Sequence, residues 1–580
     1  MKLQLDPDPG TTHRGFLGVL CNDGLSFSLL RVVVVIVATL SSSVPAQEFD
    51  EKFEHWPLDL KINGKIIMGS DLRDMSVLEA ALPSDRDQKV TLLLDDADPA
   101  SAVTPLTAFF AKHPYALTVR RLGPDDPNHV DDLLKNCDIF CLPLSQGMTD
   151  QFRDRLIASL DAFHAHIAAG KTIIATGWAT ELLSAFYRET SNESVRVLNG
   201  LNLVPDCVLE TRFEDSVAGR GGLLSVLALH PGAVGIGIEK NTALVLDGRK
   251  MRVLGQGGAT FLLMANERQP LRVRRISSRR PGRRSSGAGL IDLTQWRRDA
   301  IDRTLEPFPP SEPRTPFVGN GTLVIAGGGG LPRGLMARFV ELAGGPERAR
   351  LVYVPCSEND VVSAQQGTVQ SWKRMGVRNA TFIHTKDRNR ANSDEKILAP
   401  LREATGIWFG GGRQWNFADS YYGTEAHRLM KDALNRGGVV GGSSAGASIQ
   451  ARYLARATPI GNLRIMAPGY ERGGLGFISG VAIDQHFSQR NRQKDMSGLV
   501  NRYPQLLGIG IDEGTALIVQ KSIAQVVGRG QVYFYDRRQP LFPDRPDYVS
   551  LSAGSSFDLA LRKEVIEHST AEAFKEEIDP

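Results

Sequence analysis

Apolar residues between positions 57 and 560 fall into short runs of strand length, separated by stretches of helical periodicity. In the second half, TLVIAGGG (322–329) reads as a buried strand that runs into a glycine turn. RGLMARFVELAGG (333–345) reads as an amphipathic helix stopped by Gly344 and Gly345. The alternation continues through ARLVYVPCS (349–357), a helix in VVSAQQGTVQSWKRMG (361–376), ATFIHT (380–385), a helix near 394–403 and GIWFGGG (406–412). Continuous apolar strands separated by helices predict a mostly parallel sheet covered on both faces. The expected class is therefore α/β, three-layered and flavodoxin-like in general form. In such folds, sites gather at the C-terminal ends of the strands.

The pattern also repeats. GIGIDEGTAL (508–517) and GIGIEKNTAL (235–244) agree at seven of ten positions, and each is followed by a strand, a turn, a strand, a glycine and a third strand. Upstream, GVAIDQHF (480–487) faces DCVLETRF (206–213), GGVVGGSSAGA (437–447) faces KTIIATGWATE (171–181), and GIWFGGGRQ (406–414) faces CDIFCLPLSQ (137–146). Four segments in one order at nearly constant offset predict two tandem domains of one fold, 57–270 and 318–560, followed by a tail at 561–580. Residues 271–317 carry a run of arginines (Arg272, Arg274, Arg275, Arg279, Arg280, Arg283, Arg284), a short amphipathic stretch around Trp296 and the Pro-rich PFPPSEPRTP. That composition suits a solvated connecting segment, with grip on an anionic surface as the alternative.

Composition narrows the class further. The 580 residues are 42% hydrophobic and 23% charged, with a formal net charge of only +3, which argues against a general nucleic-acid binder. The cysteines at 21, 137, 141, 207 and 356 form neither a CxxC pair nor a zinc-like cluster, and are expected as small buried hydrophobes. In residues 1–46, the apolar run 25–40 is interrupted by Arg31 and followed by SSSVPAQ, with Val44 and Ala46 at the –3 and –1 positions of a small-residue cleavage site. This is the layout of a secretory signal, and its core after Arg31, about nine residues, is too short to span a bilayer. The long stretch before Leu25 is unusual for such a signal, and a start codon placed too early would explain it. The expectation is a secreted or periplasmic protein with no stable membrane insertion after signal removal; a membrane anchor or a buried strand is the alternative.

Candidate chemistry concentrates in the second half. Gly442-Ser443-Ser444-Ala445-Gly446 is a GxSxG between the strand 438–441 and the helical ASIQARYLA. At a strand-to-helix turn, small neighbours push the serine oxygen outward, and the following N–H groups and helix dipole favour developing negative charge. A serine still needs a base. His486 follows the apolar strand GVAI in Asp484-Gln485-His486-Phe487, and Asp512-Glu513 follow GIGI; either acid could orient the imidazole. The glycines of FGGGRQ could bring backbone N–H groups to an oxyanion. GGGGLPRG (327–334) lacks the Lys-Ser/Thr of a phosphate loop. His164 and His166, two residues apart on a helix, point to different faces and do not suggest a metal site.

Together, FGGGRQ, GGSSAGA, DQHFSQRNR and GIGIDEGTAL resemble cyanophycinase, of the serine peptidase family that includes aspartyl dipeptidase E; the resemblance covers about 318–535. It implies a class I glutamine amidotransferase-like fold. It implies Ser444 as nucleophile, His486 as base and Glu513, rather than Asp512, as third member. The oxyanion hole would fall on the N–H groups of Gly411 and Ala445. Substrate-binding side chains would fall on Gln414, Asp484, Gln485, Arg490 and Arg492. The family pattern H-F-x-x-R-x-R-x-x-R-L is broken here, because Asp495 and Met496 stand at its last two positions.

The implied activity is hydrolysis of aspartate-containing peptide bonds, taking cyanophycin to β-aspartyl-arginine dipeptides through an acyl-enzyme without cofactor or metal. A related peptidase acting on another acidic or β-aspartyl peptide, and a non-catalytic binding protein, are the alternatives. The partner expected is a peptide or cyanophycin-like polymer, not nucleic acid, and a homodimer is left open. In the first half the repeat register sets Trp178 against Ser444, Arg212 against His486 and Lys240 against Glu513, so that half is expected to be inactive; only Gln146, opposite Gln414, is retained.

Overall fold

The computed structural model describes residues 62–566 apart from 71–74, 83–87, 97, 99–103, 124–128, 145–147, 191–194, 278–288 and 461–462. The expected export segment, Gln146, Arg279, Arg280, Arg283 and Arg284 lie outside the described residues, as does nearly all of the tail beyond Val565.

In the second half, Val318–Ala326 is the pivot of a nine-stranded sheet. On one side follow Val439–Ser443, Gly406–Phe409, Arg350–Val354 and Asn379–Phe382, all parallel. On the other side Thr515–Lys521 runs antiparallel, then Ile523–Gly528, Ser556–Asp558 and Lys563–Val565. A second, five-stranded sheet holds Ala451–Tyr453, Ile478–Gln485, Leu507–Ile511, Gln531–Tyr535 and Val549–Ser552.

The central strands are buried along almost their whole length, which is why their sequences are apolar without alternation. Val324, Ala326 and Val439 pack with Phe339 and Trp372 from flanking helices on one face. Leu323 and Ile325, alternating with them, point to the other. The helix Glu425–Asn435 buries Ala426, Leu429, Met430, Ala433 and Leu434, the i, i+3, i+4, i+7, i+8 stripe, and Thr424 caps its start by accepting from the His427 N–H. Full burial of side chains such as Leu429 and Met430 contributes about 1.5–3 kcal/mol each.

The first half carries the same strand order. Lys65–Gly69 is the pivot, with Thr172–Gly177, Ile139–Leu144, Lys89–Asp95 and Ala116–Leu122 parallel on one side. Thr242–Asp247, Lys250–Gly255 and Leu290–Asp292 lie antiparallel on the other. Its smaller sheet runs Arg272–Ser277, Gly258–Leu263, Val234–Ile238, Val204–Thr211, Ser184–Thr190, Val195–Asn199. Local detail repeats as well: a side chain on Gly237 would strike the Phe213 ring, as one on Gly510 would strike Phe487.

Two expectations are corrected by this geometry. Residues 271–317 hold more structure than a connector needs. Arg272–Ser277 and Leu290–Asp292 are edge strands of the first half's two sheets, and Leu293–Asp302 is a helix capped by Asp292. Two of the strand's three arginines are partnered locally: Arg275 pairs with Glu239 at 2.6 Å, and Arg272 pairs with Asp299 and lies over Trp296. The second correction is the register at the nucleophile position. Gly177, not Trp178, is the counterpart of Ser444. Thr176 pairs with Gly69 as Ser443 pairs with Ala326, and Gly177 (φ 61, ψ −133) takes the turn that Ser444 (φ 58, ψ −113) takes. Arg212 (φ 55) does match His486 (φ 51).

Cys137, Cys141 and Cys207 are free and buried. Among the described residues no helix is long and apolar enough to cross a membrane.

Candidate active site

The strand Val439–Ser443 ends at Ser444, which leads into the single turn of helix Ala445–Ser448. A positive φ on serine costs about 1–3 kcal/mol and persists only where the surroundings enforce it. Here the glycines of GxSxG permit it. A Cβ on Gly442 would sit 2.3 Å from the Gly446 carbonyl oxygen, and one on Gly446 would sit 2.2 Å from that of Phe409. One turn of helix supplies little dipole, so its contribution at Ser444 is free N–H groups.

Ser444 Oγ stands 2.9 Å from His486 Nε2, and His486 Nδ1 stands 2.6 Å from Glu513 Oε1. Glu513 fixes the tautomer: Nδ1–H donates to the carboxylate, which leaves Nε2 to accept the serine proton. His486 closes the strand Ile478–Gln485, and its N–H donates to the Gly327 carbonyl at 2.8 Å. Burial holds the imidazole pKa below its ordinary value; the Glu513 hydrogen bond opposes this and Arg490 adds to it. The ring is therefore neutral near pH 7, the state a base requires.

The neighbouring acid has other work. Asp512 accepts from the N–H groups of Ser488 (2.9 Å) and Gln531 (3.2 Å), so it ties strand ends together. Glu239 does the same in the first half, accepting from the Gly258 N–H at 2.9 Å. This separates the two acids that the strand pattern left open, in the sense the resemblance implied: Glu513 meets the histidine and Asp512 does not.

Gly411 lies beside the serine, its would-be Cβ 3.6 Å from Ser444 Cβ. Among the described residues, neither the Gly411 nor the Ala445 N–H donates to a backbone carbonyl. Two uncommitted donors thus flank Ser444.

The five residues expected at the substrate divide sharply. Asp484 is completely buried between Arg456 (2.7 Å) and Arg492 (2.8 Å). Gln485 is buried and accepts from Arg492 at 3.0 Å. Gln414 is buried and donates to the Ala455 carbonyl at 2.7 Å. These four side chains brace the strand ends. Arg490 is exposed, close enough to depress the imidazole's proton affinity. Asp495 is half-exposed and pairs with Arg456 at 2.7 Å, so the residue that breaks the family pattern is held by the arginine that also holds Asp484.

The sequence reading missed Gly328 and Gly329. A Cβ on Gly328 would lie 2.4 Å from His486 Cε1, and one on Gly329 would lie 2.2 Å from Glu513 Oε2. It also missed Gln489, whose side-chain oxygen accepts from the Glu513 N–H at 2.9 Å, and Arg456. The run of four glycines after a buried strand was the available signal, since such a run marks close backbone approach.

A cavity of about 720 Å³ borders the acid side of the site, lined by Gly330, Arg333, Gly514 and Arg529. A larger cleft of about 1720 Å³ lies between the halves, lined by Arg274, Trp296, Arg464, Lys494 and Asp495, away from Ser444.

A serine, a neutral histidine and a carboxylate linked in series at the strand ends of an α/β sheet define a hydrolase-type site. Residues 323–527 match the model of peptidase family S51. The C-terminal half of the chain is cyanophycinase-like and carries a peptidase domain of the S51 kind. The cyanophycinase of Geminocystis herdmanii (strain PCC 6308) is 28% identical over 224 residues, 38% of this chain and 82% of that protein. The cyanophycinase of Synechococcus elongatus is 29% identical over 231 residues, 38% of this chain and 70% of that protein. A crystal structure of a peptidase from an acI-B1 actinobacterium aligns at 22% identity with a TM-score of 0.32, over 42% of this chain and 97% of that one.

Proposed function

We propose that the C-terminal half hydrolyses aspartate-containing peptide bonds through a Ser444 acyl-enzyme, with cyanophycin as the substrate and β-aspartyl-arginine dipeptide as the product. The hydrogen-bonded series Ser444–His486–Glu513 carries this reading. His486 Nε2 takes the serine proton as Oγ attacks the carbonyl carbon. The oxyanion that forms is met by the N–H groups of Gly411 and Ala445. The imidazolium, stabilised by Glu513, returns the proton to the departing amine nitrogen. Water then repeats the sequence in reverse order on the ester and frees Ser444. Arg490 is the side chain placed to meet a substrate carboxylate, since it is exposed beside the imidazole.

The activity belongs to one half. The first half presents Gly177, Arg212 and Lys240 at the three positions, and so has no nucleophile, base or acid for this chemistry. Export directed by residues 1–46 is part of the same proposal.

A second reading, a peptidase for another β-aspartyl peptide, is favoured by Asp495, which puts a negative charge where the family pattern has an arginine. The test is incubation of the purified chain with cyanophycin granules and, separately, with β-aspartyl dipeptides. Release of β-aspartyl-arginine from granules supports the first reading. Cleavage of dipeptides alone supports the second, and inertness toward both overturns the two together.

A further inference from the structure

The first half reaches into the second through two buried arginines. Arg249 lies in the hairpin turn between Thr242–Asp247 and Lys250–Gly255, and Arg298 lies on the helix Leu293–Asp302. Arg249 forks onto Asp292 (2.5 and 2.8 Å), and its third nitrogen reaches Asp419 at 2.5 Å. Arg298 donates to the other oxygen of Asp419, and the Tyr470 hydroxyl lies 2.9 Å from that same oxygen. The Arg249 guanidinium also covers the Trp415 ring, 4.8 Å from its centroid. Lys386, over the same Trp415 ring at 5.3 Å from its centroid, and Arg388, which donates to the Asp419 carbonyl, add positive charge from the second half beside the two carboxylates.

Its target is specific. Trp415 and Asp419 are four residues apart on the short, wholly buried helix Trp415–Tyr421, hence on one face. Arg249 grips both. That helix begins directly after the turn 410–414, which brings Gly411 to Ser444. The hairpin does not need the arginine for its own closure: the equivalent turn of the second half, before Ile523–Gly528, has Ser522 at that place. Buried ion pairs contribute little net stability compared with apolar packing of the same volume, so stability alone does not account for this cluster.

We propose that Arg249 and Arg298 are positioning residues for the catalytic half: by holding Trp415 and Asp419 they fix the turn that carries Gly411, and so set its N–H group opposite Ser444. This inference rests on the peptidase reading above. The catalytically silent half is then a structural part of the active half, acting through one helix.

The test uses the full chain. Arg249→Met/Asp292→Asn removes one charge of each sign, leaves the Arg298–Asp419 pair, and keeps a residue able to cap the helix at 292. Arg249→Lys keeps the charge but cannot fork onto Asp292 while reaching Asp419. Arg188→Met/Glu210→Gln removes a different ion pair of the first half as a control. Each is assayed for cooperative thermal unfolding, for labelling of Ser444 by a serine-directed acylating reagent, and for kcat and KM. The double variant should unfold cooperatively and lose kcat by about tenfold to a hundredfold, the range expected when a transition-state contact moves by a fraction of an ångström to an ångström. Its KM should stay within about twofold, since the oxyanion contact forms only in the transition state. Arg249→Lys should recover part of kcat, and the control should match wild type. Should the double variant not fold, Arg249→Lys alone carries the test, with a lower kcat at unchanged KM expected. A folded variant with wild-type kcat, or one that raises KM only, overturns the clamp while wild-type labelling at Ser444 leaves the peptidase reading intact. A wild-type chain that neither labels nor hydrolyses overturns both.

Discussion

Gly328→Ala is the smallest change that should disable the site without touching any group that does chemistry. Gly328 has φ +100, and an added Cβ would lie 2.4 Å from His486 Cε1 and 2.6 Å from Nε2. Ordinary van der Waals contact starts at 3.4 Å, so the imidazole must retreat by the difference, 1.0 Å, or the loop must move instead. Either way the 2.9 Å approach of Nε2 to Ser444 is lost. A misplacement of that size costs on the order of a hundredfold in rate. Backbone strain of about 1–3 kcal/mol adds to the overpacking, so some loss of melting temperature should accompany the kinetic effect. The assay pairs kcat/KM on cyanophycin with the rate of Ser444 acylation, both measured well below the melting temperature. Both should fall together, by about two orders of magnitude. A folded Gly328→Ala protein with more than about half the wild-type rate would refute the placement of His486 against the glycine loop.

Four further outcomes are expected. The acidic limb of the kcat/KM profile should have its midpoint below the ordinary histidine value of about 6.5, because burial disfavours the charged imidazole: activity is lost as pH falls through the lowered pKa and is full above it; a midpoint above about 7 contradicts this. Glu513→Gln should cost about two to four orders of magnitude in kcat, whereas Asp512→Asn, which disturbs two backbone N–H bonds, should cost about 1–3 kcal/mol in denaturant stability with a much smaller kinetic effect; the reverse ranking would exchange their roles. Asp495→Asn should change stability by less than about 1 kcal/mol because its partner's charge stays satisfied by Asp484. Asp495→Arg should lower kcat/KM, since it sets a like charge beside Arg456; a clear rise on cyanophycin would instead mark position 495 as a retuned substrate contact.

The halves and their order were legible because strand runs and the GIGI motif recur at a steady offset, and because parallel strands buried on both faces leave a plain apolar signature. Ser444 and His486 were legible because each ends an apolar strand beside small or polar residues. The choice of Glu513 over Asp512 came from the family resemblance alone; the strand pattern could not make it, since adjacent residues share a strand end and differ only in the direction of the side chain. The one-residue error at Gly177 has the same origin: an ungapped register cannot see where a strand stops and a helix starts. The roles of Arg249, Arg298 and Arg456 depend on contacts between residues more than a hundred positions apart, or on a buried partner, and composition gave the arginines of 271–317 only the look of a solvated run. The substrate-facing assignments were drawn from motif membership, which marks Asp484 and Arg492 without revealing that they are occupied with each other.

The central claim is that Ser444 is the nucleophile of the only hydrolytic site among the described residues. Wild-type and Ser444→Ala chains, treated with a serine-directed acylating reagent and mapped by peptide mass spectrometry, test it most directly when turnover of cyanophycin is followed in the same samples. The wild-type chain should take one label, on the peptide containing Ser444, with activity lost in proportion. Ser444→Ala should take none, retain its fold, and turn over several orders of magnitude more slowly. A label elsewhere, or substantial hydrolysis by Ser444→Ala, would contradict the account.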